Sequence, residues 1–84
     1  MQVLKEEVRQ NILSSAKKLF YEKGYDNATI RDIAKLSGIT VGNVYRYFKS
    51  KEKVLEGIVE PVHEKINEIL SFSEKLVEEG INKP

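Results

Sequence analysis

Apolar residues recur at three- and four-residue steps along most of the chain, in four stretches separated by short polar or glycine-containing breaks. In the first stretch Leu4, Val8, Ile12, Ala16, Leu19 and Phe20 form one stripe with Leu13 on its flank. This predicts an amphipathic helix from about Leu4 to Lys23. Gly24 follows, a residue that takes a left-handed conformation at no steric cost, and residues 25–28 read as a turn. The second helix begins at Thr29, whose hydroxyl is placed to accept from the Asp32 amide while Asp32 reaches back, a capping-box pattern. Ile30, Ile33, Ala34 and Leu36 are its apolar set, and Gly38 ends it. The third helix starts near Thr40 as N-cap, with Val44 and Phe48 directed inward together with Ile39. Ser50 is placed to cap a fourth, along which the pattern runs from Val54 to Val77. Pro61 lies inside that run. It removes a hydrogen bond and crowds the carbonyl four residues back, at Gly57. The expectation is one kinked helix or two abutting ones, with the break within two residues of Pro61. Gly80 reads as the end, with residues 81–84 frayed.

The fold class that follows is all-α: a three-helix bundle with a helix-turn-helix, then a fourth helix kinked or broken near Pro61. Residues 1–53, extending to about residue 58, form one unit, and residues 54–84 are a connecting helix. The central spacing is the informative part. Ala34 is small enough for a third helix to pass close over the second. Gly38, four residues on, supplies the turn, and Val44, six further, plugs the inner face, with Ile33 and Ile39 completing it. That is helix-turn-helix geometry, in which the second of the two helices lies in the major groove of DNA.

Charge changes this picture by giving it a direction. The 84 residues carry a formal net charge of only +1, but residues 1–53 hold 11 Lys and Arg against 6 Asp and Glu, and residues 54–84 hold 3 against 7. A basic front and an acidic back imply an anionic partner at one end only. With 40% hydrophobic residues the core is modest. The absence of Cys leaves no disulfide or thiolate metal site. There is no signal-peptide core and no run of membrane-spanning length, so a cytoplasmic location is expected.

The chemistry on offer suits DNA. Val41, Gly42 and Asn43 have little bulk, so the first turn of the third helix is able to approach base edges. Asn43 suits an adenine, Arg46 a guanine or a phosphate, and Val41 a thymine methyl. Thr29, Tyr45, Tyr47, Lys49 and Lys51 are peripheral donors for phosphate oxygens, and the amides opening the fourth helix add to them. The plainer alternatives are that Tyr45 and Tyr47 are half-buried packing residues and Arg46 a solvated charge. No nucleophile–base pair, phosphate-cradling loop or metal motif is present, so no enzymatic activity, metal or cofactor is expected. The lone His63 reads as a surface residue, and the Glu56, Glu60, Glu64, Glu68 series as a solvated face. A second reading is a small helical interaction module that self-associates through residues 54–80.

These residues carry a resemblance. Ile12 and Leu13, Ala16, Leu19 and Phe20, and Gly24 and Tyr25 in the first helix match the N-terminal domain of TetR-family transcriptional regulators. So do Thr29, Ile33, Ala34 and Gly38 in the second, and Thr40, Gly42, Val44, Tyr45, Tyr47, Phe48, Ser50, Lys51, Glu52 and Leu55 further on. The resemblance covers roughly residues 9–58. Ser37 stands where the family usually has Ala, Ile39 where it has Val, and Thr40 where it often has Ser; each keeps size or capping ability. The resemblance implies base-facing roles for Val41, Gly42, Asn43 and Arg46 next to the Thr40 cap. It implies phosphate contacts at Thr29, Tyr45, Tyr47 and Lys51, and a phosphate or base contact at Arg31. It implies a homodimer on a palindromic operator, acting as a repressor that releases double-stranded DNA when a small-molecule effector binds a second, helical domain. Members of that family are longer, so that domain and the usual dimer helices are expected beyond Pro84.

Overall fold

A computed structural model describes residues 4–81, with the side chains of residues 4–77. Among the described residues the elements are α1 (Glu6–Lys23), α2 (Ile30–Ser37), α3 (Val41–Tyr47) and α4 (Lys51–Ile81). The first three helices and the start of α4 surround one core. Ile12, Ala16, Ile33, Val44 and Val54 lie at its centre, with Leu13, Leu19, Ala28, Ala34 and Phe48 around them.

Local chemistry sets each boundary. Lys5 gives α1 no side-chain cap, but Glu6 and Glu7 place negative charge at the positive end of its dipole. At the other end the Gly24 amide donates to the Phe20 carbonyl at 3.0 Å, and the Asn27 side chain donates to the Lys23 carbonyl at 3.0 Å. Gly24 is not left-handed helical as the sequence suggested. Its φ of 83° and ψ of 153° fall in a region that is almost exclusively glycine's. The capping box of α2 is formed as expected: Thr29 Oγ1 accepts from the Asp32 amide at 3.0 Å, and the Asp32 carboxylate accepts from the Thr29 amide at 3.1 Å. That amide, the Thr29 hydroxyl and then the nearby Lys23 hold the Asp32 carboxyl below the usual carboxylate range, against a smaller opposing effect of desolvation.

The turn between α2 and α3 is a Schellman motif. Gly38 has φ 73° and ψ 26°, its amide donates to the Lys35 carbonyl at 3.2 Å, and the Ile39 amide reaches the Ala34 carbonyl at 3.0 Å. The Ser37 carbonyl is taken up by Asn11 Nδ2 of α1 at 2.8 Å, which ties the turn to the first helix. A β-carbon at Gly38 would meet nothing within 4 Å, so only the backbone resists substitution there. Gly38→Val is expected to cost about 1–2 kcal/mol from left-handed strain alone. A thermal melt checks this, and an unshifted midpoint would mean that the turn accepts an ordinary residue. Thr40 caps α3 by accepting from the Asn43 amide at 3.1 Å, and Ser50 caps α4 through the Lys53 amide at 3.2 Å.

Several expectations from the pattern are corrected. Leu4 precedes α1 and is exposed, as is Leu36 on α2. Leu13 is buried in the core rather than on a flank. At Pro61 the two-helix alternative is set aside: α4 runs through it, losing one amide donor in a helix of 31 residues. The helix also passes Gly80, which therefore does not end it; residues 82–84 lie outside the described residues. Gly57, one turn before Pro61, is a contact that the pattern did not signal. It is buried, and a β-carbon there would stand 2.9 Å from Leu13 Cδ2 and 3.0 Å from Phe48 Cε1. The missing side chain lets α4 lie directly on α1 and on the end of α3.

Candidate nucleic-acid interface

Val44 is fully buried, and this orients the whole of α3. At about 100° per residue, Gly42 and Arg46 fall on the opposite face, one turn apart, with Asn43 and Tyr45 on either side of them. Gly42 and Arg46 are exposed, Tyr45 is 48% exposed and Asn43 is half-buried. A β-carbon at Gly42 would meet only Thr40 Oγ1, at 4.0 Å, so this outer face is open along its first turn. Val41 sits nearer the inner side and is half-buried against the core. Its methyl groups are shared between packing and whatever lies outside.

Around this face the remaining sequence-predicted residues divide into two groups. Thr29, Arg31, Thr40 and Lys49 are exposed. The two threonine side chains are engaged as helix caps. Arg31, Arg46 and Lys49 form no ion pair among the described residues, whereas Lys23 pairs with Asp32 at 3.5 Å and Lys53 with Glu56 at 3.1 Å. Arg46 on α3, Lys49 just after it and Arg31 on α2 are thus exposed cations without an ion-pair partner among the described residues. Tyr47 is half-buried, and its hydroxyl accepts from the Lys5 amide at 3.0 Å, which leaves the hydroxyl proton available to a further acceptor.

Lys51, expected as a phosphate donor, has internal partners in the structure. Its ammonium turns into the α1–α2 connection, donating to the Tyr25 carbonyl at 2.6 Å and the Ala28 carbonyl at 3.2 Å, and stands 4.3 Å from the Tyr25 ring centroid. Two of its three protons are used inside the protein. The Tyr25 hydroxyl itself is buried without a partner. Burial, then the charges of Glu52 and Asp26, push it above the ordinary tyrosine range. Lys51 therefore joins the first turn of α4 to the connection that leads into α2, and α2 in turn carries α3. Lys51→Met is expected to cost about 1–2 kcal/mol of stability through the lost charged hydrogen bonds. The salt dependence of DNA binding should keep its slope. A slope lower by about one would return Lys51 to a phosphate contact.

Sequence reasoning missed Asn11, Lys51 as an internal donor, and Gly57. Only Gly57 left a trace, as a glycine inside a helical pattern. The bonds from Asn11 to the Ser37 carbonyl and from Lys51 to the Tyr25 carbonyl each join residues 26 positions apart, a separation with no local pattern.

Residues 12–58 match the profile of the bacterial regulatory proteins, tetR family. The chain is 32% identical over 69 residues to the HTH-type transcriptional regulator TtgR of Pseudomonas putida, an overlap of 82% of this chain and 33% of that protein. It is 34% identical over 67 residues to IcaR of Staphylococcus aureus strain Newman, the negative transcriptional regulator of the biofilm operon icaADBC, covering 80% of this chain and 36% of that protein. The chain thus spans about a third of the length of these curated relatives. Among solved structures, the fatty acid degradation regulator FadR from Bacillus halodurans superposes with a TM-score of 0.64 at 26% identity, covering 98% of this chain and 40% of that one.

Proposed function

The chain belongs to the tetR family of bacterial regulatory proteins, and from that premise we propose that it is the DNA-reading part of a transcriptional repressor. The observation that carries the proposal is the outer face of α3. Gly42 and Arg46 stand opposite the buried Val44, on a helix capped by Thr40, and Arg46 has no ion-pair partner among the described residues. A short helix with an open first turn and a cation one turn later is the shape that enters a major groove.

In this reading Arg46 bonds a guanine edge or a phosphate and Asn43 an adenine, while Gly42 lets the helix approach and Val41 presents what remains of its surface to a thymine methyl. Thr29, Arg31, Thr40, Tyr45, Tyr47 and Lys49 hold the phosphates on either side. Lys51 acts one step back, by holding the start of α4 against the α1–α2 connection. The repressor sense rests on IcaR, which is named as a negative regulator. The active species is a homodimer on a palindromic operator in the cytoplasm, released by a small-molecule effector held elsewhere in a longer protein. Two copies would read half-sites about 34 Å apart.

Selection from a pool of random duplexes tests the sequence-reading claim. Recovered sequences should share an inverted repeat whose halves lie about one helical turn apart. A recovered pool with no common sequence would contradict it.

A further inference from the structure

The outer face of α3 can meet base edges only if the helix keeps its direction, and α3 has little of its own to fix that. It is seven residues long, too short to be a stable helix by itself. Val44, at its middle, is the one buried residue within it. A single central anchor fixes where a helix lies and leaves its tilt free. At about 1.5 Å per residue, a tilt of about 10° about Val44 would carry either end of α3 roughly 1 Å. A shift of that size spoils the alignment that a bidentate contact with a base edge requires. Flexible side chains on phosphates can follow it.

The first helix supplies ties at both ends of α3. Asn11 and Arg9 flank the core-facing Ile12, by about 100° on one side and about 60° on the other. On the first side Asn11 Nδ2 donates to the Ser37 carbonyl at 2.8 Å, in the turn that enters α3. On the second the Arg9 guanidinium stands 5.6 Å from the ring centroid of Phe48, which closes α3. One turn before Arg9, the Lys5 amide donates to the Tyr47 hydroxyl at 3.0 Å. The two ends are not equally braced. At the far end Phe48 is buried and α4 follows closely. At the near end Ile39 is only half-buried, Thr40 is exposed, and a β-carbon at Gly38 would meet nothing within 4 Å. Among the described residues, Asn11 makes the one side-chain hydrogen bond from another helix to this turn. We propose that Asn11 is a positioning residue for base recognition. Its amide holds the turn, and the turn sets the direction in which α3 leaves it. The part played in recognition rests on the DNA-reading proposal above; the hold on α3 does not.

Two variants remove the donor without disturbing the core, because Asn11 is exposed. Asn11→Leu keeps the size of the side chain, and Asn11→Asp keeps its shape while leaving only acceptors. Amide hydrogen exchange is read first, on the 84-residue chain without DNA. In both variants the amides of α3 should exchange about fivefold faster or more, the equivalent of one lost hydrogen bond, while those of α2 keep their parent rates. Parent-like exchange in α3 would overturn the proposal. So would equal acceleration in every helix, which is what a merely stabilising residue gives. DNA binding is read second, by fluorescence anisotropy with the duplex recovered by selection and with a random duplex. Asn11→Leu should lose on the order of tenfold in its preference for the recovered sequence, the discrimination that one well-aligned base contact carries. Its affinity for random duplex and its salt slope should be unchanged. A retained preference would overturn the role in base recognition. A parent chain with no preference at all would instead sink the DNA-reading proposal, and the exchange rates alone would then decide whether Asn11 holds α3.

Discussion

Ile33→Ala is expected to remove about 2–5 kcal/mol of stability, the cost of a large-to-small change in a packed core. Ile33 is fully buried and belongs to the same core cluster as Ile12, Val44 and Val54, so it ties α2 into the shared core. A domain of this length is stable by roughly 4–12 kcal/mol, so the substitution should remove a large share of its stability. Urea denaturation measures it: the midpoint should fall with the slope unchanged. Leu36→Ala on the same helix is the control. Leu36 is 46% exposed, and its replacement should stay within about 0.5 kcal/mol of the parent. Equal effects at the two positions would mean that α2 is rotated from the orientation described above.

Arg46→Ala is expected to be the most damaging single change for DNA affinity, at about 1–3 kcal/mol, or on the order of ten- to hundredfold. Arg46 lies opposite Val44, is exposed and has no ion-pair partner among the described residues, so its removal should leave the fold intact. The pattern of loss carries the information. If Arg46 reads a base, discrimination should relax at one operator position. If it holds a phosphate, all sequences should weaken alike and the salt slope should fall by about one. No change in affinity or specificity would remove Arg46 from the interface and leave the outer face of α3 without its charged group.

What could be read in advance was what is local in sequence. The capping box of Thr29 and Asp32 joins residues three apart, and so does the Thr40 cap. Gly38 announced a left-handed turn, and the four-residue step from Val44 to Phe48 gave the inner face of α3. These features bound the elements that carry the candidate site, which is why its outer residues were nameable beforehand. What local pattern did not show depended on tertiary approach. Leu36 fits the apolar period of α2 as well as Ile33 does, but the core ends before it. Lys51 follows a helix cap as a phosphate-binding lysine would, yet two carbonyls from a connection more than 20 residues earlier claim its ammonium. Gly57 entered the pattern only as the carbonyl that Pro61 crowds, whereas its lack of a side chain makes space for Leu13 and Phe48. Pro61 removes a donor, but a helix with intact turns on both sides continues through it.

The most direct test of DNA binding is fluorescence anisotropy of this 84-residue chain with a labelled random duplex at two salt concentrations. The exposed Arg31, Arg46 and Lys49, unpaired among the described residues, predict binding at low salt that falls steeply as salt rises, because each neutralised phosphate releases counterions. No binding at low salt, with the helices intact by circular dichroism, would contradict the assignment of this face to DNA.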